Sequence, residues 1–152
     1  MTEQELDQYW DEFLRKTGRS PEDKCAGDLK FEAKGFVADE LVSLVLGKKK
    51  TAFFSSYATF QIDNEPLPVS GELYTVLNRN NDAVCVIEIT DVSVIPFNDV
   101  TWGMAQKEGE DENLEEWRAR KREYLEDEGA ILGFEFTPDI KLVFQVFRVV
   151  YF

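Results

Sequence analysis

The C-terminal run Lys141 to Phe152 is apolar on both faces of an extended chain, with only Gln145 and Arg148 interrupting it. A strand with one wet face alternates apolar and polar side chains, so a strand apolar on both sides has to be covered on both. It belongs inside a sheet or barrel, and Gly133 to Thr137 reads as a shorter strand before it. Gly71 to Arg79 and Ala83 to Ile95 read as a hairpin across Asn80-Asn81-Asp82, whose residues tolerate positive φ. In its second strand Val84 and Val86 share one face, and Cys85, Ile87 and Ile89 share the other. Val92 and Val94 return to the face of Val84, so the phase breaks and predicts a bulge between Ile89 and Val92. Thr51 to Phe60 reads as one more strand.

The helices are set by caps and apolar spacing. Thr2 and Glu5 fit a capping box, Leu6, Tyr9, Trp10, Phe13 and Leu14 fall on one helical face, and Gly18 ends that helix. Ser20-Pro21-Glu22-Asp23 has the grammar of a second helix start, worth a turn or two. Asp28 to Gly35 is linking sequence. Phe36 to Leu46 reads as a helix apolar nearly all round that stops at Gly47. Phe97 to Lys107 reads as a short helix or irregular turn with Asn98 or Asp99 as cap. Asp111 or Asn113 starts a long helix with Leu114, Trp117, Tyr124 and Leu125 in its apolar stripe. This order gives an α+β domain whose sheet is small and mixed or barrel-like, with helices packed around it. At 152 residues the chain has room for one core and not for two ordinary domains.

Composition removes several chemistries. There is no histidine, and Cys25 and Cys85 stand apart, so neither a zinc site, a Cys-His pair nor Ser-His-Asp catalysis can be built. No metal and no cofactor is expected. A net charge of −13 argues against wrapping long duplex DNA, because phosphate neutralisation supplies most non-specific affinity. No apolar run approaches the roughly 18 residues of a membrane span, and Thr2-Glu3-Gln4-Glu5 is unlike a basic leader. A cytoplasmic protein without membrane partners is expected. No P-loop or Rossmann glycine fingerprint is present.

Against that acidic background, Gly47-Lys48-Lys49-Lys50-Thr51-Ala52-Phe53-Phe54-Ser55-Ser56 is the basic exception. Its lysines are either helix-end cations favoured by the dipole or include one that points into a pocket. Glu88, in the row of Val84 and Val86, sits either at a wet sheet rim or in a pocket wall. Lys121, four residues after Trp117 and three before Tyr124, either snorkels along aromatic surface or turns its ammonium into a cleft. Glu108-Gly109-Glu110-Asp111-Glu112 reads as a solvated acidic loop.

Several pieces, in order, resemble the ASCH-domain (ASC-1 homology) family: the apolar helix leading into Gly-Lys-Lys-Lys-Thr-Ala, Leu67-Pro68 with Gly71, and Cys85-Val86-Ile87-Glu88-Ile89-Thr90. They continue through Val94-Ile95-Pro96-Phe97, Glu108-Gly109-Glu110, Leu114 with Trp117-Arg118, and Phe147-Arg148-Val149-Val150-Tyr151. The resemblance implies a single domain over 1–152, with 1–35 as a helical lead-in, and a β-barrel like the RNA-binding PUA module. It implies a cleft with a Gly-x-Lys-x-x-Thr motif, in which Lys50 takes the lysine position and Glu108 that of a catalytic glutamate. Glu88 matches a strand acid common in the family. One branch of the family hydrolyses N4-acylated cytidine and another is described as a ribonuclease, so Lys50 and Glu108 become candidate catalytic residues. The threonine position falls on Phe53, which has no nucleophilic oxygen; Thr51, Ser55 or Ser56 would have to supply the hydroxyl, or water would attack directly. The other implied function is binding of RNA, a nucleotide or a modified nucleoside. There Lys50 and Lys121 would meet phosphate, Phe53, Phe54 or Tyr57 would stack on a base, and Ser55, Ser56 and Glu88 would complete the site.

Overall fold

The computed structural model describes residues 1–32 and 36–152, so the 33–35 part of the expected linker lies outside the described residues. In chain order the elements are α1 (Glu3–Thr17), β1 (Gly27–Leu29), α2 (Ala38–Leu46), β2 (Ala52–Ser56) and α3 (Tyr57–Ile62). They continue with β3 (Leu73–Leu77), β4 (Ala83–Pro96), α4 (Trp102–Ala105), α5 (Leu114–Leu132) and β5 (Lys141–Tyr151). The five strands form one mixed sheet in the order β1-β3-β4-β5-β2, with β1 parallel to β3 and every other pair antiparallel. β5, apolar on both sides, therefore runs between β4 and β2, where both faces can be covered. The register of β4 against β5 shifts between Ile89 and Asp91, where the phase break predicts the bulge.

The sheet curls into a half-barrel whose end strands, β1 and β2, share no ladder. They are bridged by side chains instead: the Phe31 ring, just past β1, lies 5.2 Å from Phe53 of β2 and 5.8 Å from Phe147 of β5. This seam is where the candidate site lies. Cys85, Ile87 and Ile89 on one face of β4 pack with Leu41, Val42 and Val45 of α2, and Val86 on the other packs with Phe13 and Leu14 of α1. Burial pushes the Cys85 thiol up to about 12, as befits a core residue. α5 sets Trp117 and Leu125 against Phe54, Leu142 and Phe144. Full burial of side chains this large stabilises by about 1.5–3 kcal/mol each, which fixes α5 firmly over β2 and β5.

Several local expectations are corrected. The Thr51–Phe60 strand stops at Ser56, because the Ser56 hydroxyl accepts the Thr59 N–H at 3.3 Å and caps α3. Ser56 also donates to Glu128 of α5 at 2.6 Å, which holds that turn in place. Gly133 ends α5 at φ 91°, and the stretch to Thr137 is connection rather than strand. Ser20 to Asp23 makes a turn and no helix. Between Phe97 and Lys107 the chain forms a 3-10 turn, the short α4 and part of a second 3-10 turn, and Thr101, not Asn98 or Asp99, caps α4. α2 begins after Val37 and is buried on one side only, with Ser43 and Leu46 facing out. Asn113 caps α5, donated to by Glu116 N–H at 2.8 Å. No helix among the described residues is long and apolar enough to cross a membrane.

Candidate functional site

The three lysines after α2 are sorted by the way the chain leaves the helix. Lys48 adopts φ 62°, and the N–H groups of Lys49 and Lys50 both donate to Leu44 O, at 2.9 and 3.0 Å. That tight exit leaves Lys48 and Lys49 in solvent and turns Lys50 inward, where it is 3% exposed. Its ammonium donates to Ala52 O at 3.2 Å, Glu108 O at 3.4 Å and Glu110 Oε2 at 2.6 Å, and lies 5.2 Å from the Phe31 ring centroid. An ammonium has three donors, so the protein itself occupies all three.

The acidic segment is not a solvated loop. The Thr51 N–H donates to Lys107 O at 2.7 Å, and Gly109 turns at φ 76° directly on the Lys49–Lys50 backbone. A Cβ on Gly109 would sit 2.6 Å from Lys49 O, so this approach requires glycine. The turn sends the side chains on either side of it, Glu108 and Glu110, to the same lysine, Lys50. Glu108 is 4% exposed, and its carboxylate accepts from three groups and lies within ion-pair range of a fourth. Trp117 Nε1 donates to its Oε1 at 2.7 Å and Phe54 N to its Oε2 at 3.1 Å. Lys121 Nζ reaches Oε1 at 3.1 Å and Oε2 at 3.3 Å, and Lys50 Nζ lies 4.0 Å away.

The two carboxyls are pushed in opposite directions. Burial raises the Glu108 pKa, but Lys121, Lys50 and the hydrogen bonds from Trp117 and Phe54 outweigh it and hold Glu108 below the ordinary carboxylate value. Burial raises Glu110 as well, and there the attraction of Lys50 does not overcome it, with the charge of Glu108 adding to the rise. Lys121, with a side chain 14% exposed, lies 5.5–5.9 Å from the ring centroids of Tyr124, Phe54 and Trp117. Its ammonium has therefore turned into the cleft.

A cavity of about 200 Å³ opens in the seam beside this cluster. Phe31, Phe53, Phe54 and Tyr124 give it aromatic walls, while Lys50, Glu108, Lys121 and Ser55 give it polar ones. Phe53 and Ser55, two residues apart on β2, share a face. The structure thus brings Lys50, Phe53, Ser55, Glu108 and Lys121 together. Ser56 points to the other face, held by Glu128 and by the Thr59 hydroxyl. Glu88 lies outside the pocket in an ion cluster with Arg148 at 2.7 Å and Arg19 at 3.8 Å. The sequence reading missed Phe31 and Tyr124 in the pocket wall, and Glu110 behind it as the partner of Lys50; the one signal for Glu110 was its place two residues after Glu108 across a glycine. A wider groove of about 840 Å³ runs between α1 and residues 21–28, but Glu3, Asp7, Glu22 and Asp28 on its walls are solvated surface acids. Among the described residues no group of three or more carboxylates or thiols is placed to hold a metal ion.

The sequence profile of the ASCH domain family matches residues 28–151. The fold superposes on the crystal structure of an ASCH domain from Lactobacillus crispatus with a TM-score of 0.89 and 30% identity, over 99% of this chain and 97% of that one. A protein from Enterococcus faecalis is similar at a TM-score of 0.88 and 27% identity, over 99% of this chain and 90% of that one. No curated protein matches the sequence.

Proposed function

This chain belongs to the ASCH domain family, and from that premise we propose that its seam pocket binds a single nucleoside-sized ligand, free or as an unstacked base. Lys121 is the observation that carries the reading. Among the described residues both of its ionic contacts go to one carboxylate, Glu108, which leaves an N–H for a ligand at the wall of an aromatic-lined cavity. A cavity of about 200 Å³ suits one planar heterocycle with its substituents and not a length of strand. Phe31, Phe53 and Tyr124 offer the stacking surface on which bases are held.

The cluster fits binding better than acid-base chemistry. Glu108 is kept ionised and fully hydrogen-bonded, so at neutral pH it has no proton for a leaving amine. Lys50 spends its donors on the protein, and Phe53 stands where a hydroxyl would be needed. Titration with nucleosides, 5′-mononucleotides and short RNAs is expected to give nucleoside binding that changes little with salt. Lys121→Met keeps the aromatic packing and should weaken it about tenfold or more, roughly 1.4 kcal/mol. Equal affinity in the variant would refute the reading. RNA bound far more tightly than nucleoside, with a steep salt dependence, would make RNA the ligand.

A second reading is hydrolysis of the amide of an N4-acylated cytidine-type nucleoside, and Ser55 favours it. That residue puts a hydroxyl on the same face of β2 as Phe53, in the same pocket as Lys50. For this, Lys50 would first have to pass a proton to Glu110 and become neutral. It would then take the Ser55 proton as the Ser55 oxygen attacks the acyl carbon, and return it to the N4 amine as the amide bond breaks, leaving an acyl-serine for water to hydrolyse. Turnover of acylated nucleosides that falls about 100-fold or more in Ser55→Ala would establish it; turnover untouched by that change would exclude it.

A further inference from the structure

Lys30 and Glu32 add one exposed charge of each sign to the pocket lining, and the inner charges beside it are also balanced, two of each sign. Two cations, Lys50 and Lys121, face two carboxylates, Glu108 and Glu110. Glu108 is shared by both lysines, whereas the Glu110 side chain, 5% exposed, has Lys50 as its ion-pair partner at 2.6 Å. Glu110 also stands behind the wall: it borders a small inner cleft with Asp111, Arg120 and Lys121, and the 200 Å³ cavity is bounded by Lys50 in front of it. Removing its charge would change the field in the pocket without changing the wall.

We propose that Glu110 is a specificity determinant: by neutralising Lys50 from behind, it makes the pocket accept an uncharged nucleoside and gives no advantage to one bearing a phosphate. The proposal rests on the pocket being the ligand site and adds which charge state of ligand it selects. Coulomb attraction beside a cation as buried as Lys50 is strong enough to decide the matter. One uncompensated cation several Å from a phosphate shifts affinity by about tenfold or more. The other charged and titratable groups facing Glu110 do not replace its effect. Glu108 offsets Lys50 only in part, from 4.0 Å and with both oxygens hydrogen-bonded to Lys121, Trp117 and Phe54. Asp111 is matched by Arg120 at 2.7 Å, and Glu32 and Tyr124 lie across the inner cleft. As pH falls, Glu110 takes up a proton before Glu108, since burial raises it while Glu108 is held low; burial raises Asp111 too, but Asp111 is the same in the two proteins compared below.

The test compares cytidine, cytidine 5′-monophosphate and inorganic sulfate on the full chain and on Glu110→Gln, with Glu112→Gln as the control for loss of one exposed charge nearby. In the unmutated protein the nucleoside and its monophosphate should bind within about threefold of each other. Glu110→Gln should bind the monophosphate and sulfate about tenfold or more tightly, with nucleoside affinity kept within about twofold, and Glu112→Gln should change neither. An unchanged ratio in Glu110→Gln, or an equal gain for both ligands, would overturn the proposal. Sulfate keeps its charge over the range used, so lowering the pH on the unmutated protein gives an arm that needs no substitution. Sulfate affinity should rise on acidification in the unmutated protein more than in Glu110→Gln; equal rises would also overturn it. If neither nucleoside nor monophosphate binds, the pocket reading fails, and the two sulfate arms still decide the role of Glu110.

Discussion

Glu108→Ala is expected to lower unfolding stability by about 3–5 kcal/mol, the range found when one member of a buried ionic group is removed and its partners are left behind. The loss has named components. Lys121 loses both oxygens it touches, and the Trp117 indole N–H and the Phe54 backbone N–H lose their acceptor. Denaturant titration measures it, and a change under about 1 kcal/mol would show the cluster to be energetically idle. The pH dependence follows from the direction of the shift. Glu108 is depressed in the folded state, so its contribution is whole above the unfolded carboxylate value of 4.5 and disappears as pH falls through the lower, folded value. The unmutated protein should therefore lose stability below about pH 4.5 more steeply than Glu108→Ala does.

Gly109→Ala should cost about 3 kcal/mol or more, from left-handed strain of about 1–2 kcal/mol plus the displacement of a backbone that has nowhere to go. The added Cβ would meet Lys49 O at 2.6 Å and Lys49 C at 2.8 Å, both main-chain atoms. Gly18 isolates the two effects, because at φ 70° it has nothing within 4 Å of a Cβ. Gly18→Ala should show the strain alone, about 1–2 kcal/mol. If the two variants are equally stable, the contact with Lys49 contributes nothing. Because the turn at Gly109 is what brings Glu108 and Glu110 to Lys50, Gly109→Ala should also weaken nucleoside binding.

What the sequence disclosed and what it hid divide along physical lines. The two apolar faces of Lys141 to Phe152 required a central strand, and the phase slip after Ile89 required a bulge, because both are written in period-2 alternation. The end of β2 was hidden, since Ser56 is equally at home in a strand and at a helix cap. Its choice depends on Glu128, 72 residues away. Gly133 to Thr137 has strand-forming residues and no ladder to join. At the site, resemblance pointed to Lys50 and Glu108 and put Phe53 at the motif's threonine position, with Thr51, Ser55 and Ser56 left open as sources of a hydroxyl. Lys121 stayed open between surface and cleft because the choice is made by Glu108, which no helical periodicity reports. Glu110 was invisible for a similar reason: a run of acids looks solvated until a turn folds it against a lysine.

The open seam of the half-barrel has one more consequence. β2 is an end strand, and on its free side the Ala52 carbonyl is taken by the Lys50 ammonium and the Phe54 N–H by the Glu108 carboxylate. Unpaired backbone groups on a terminal strand are a template for another chain, and charged side chains are a common means of denying it. Here the residues that shape the pocket also stopper the sheet. Closing the strand edge and shaping the proposed pocket are one constraint on the same two side chains, and neither can drift without the other.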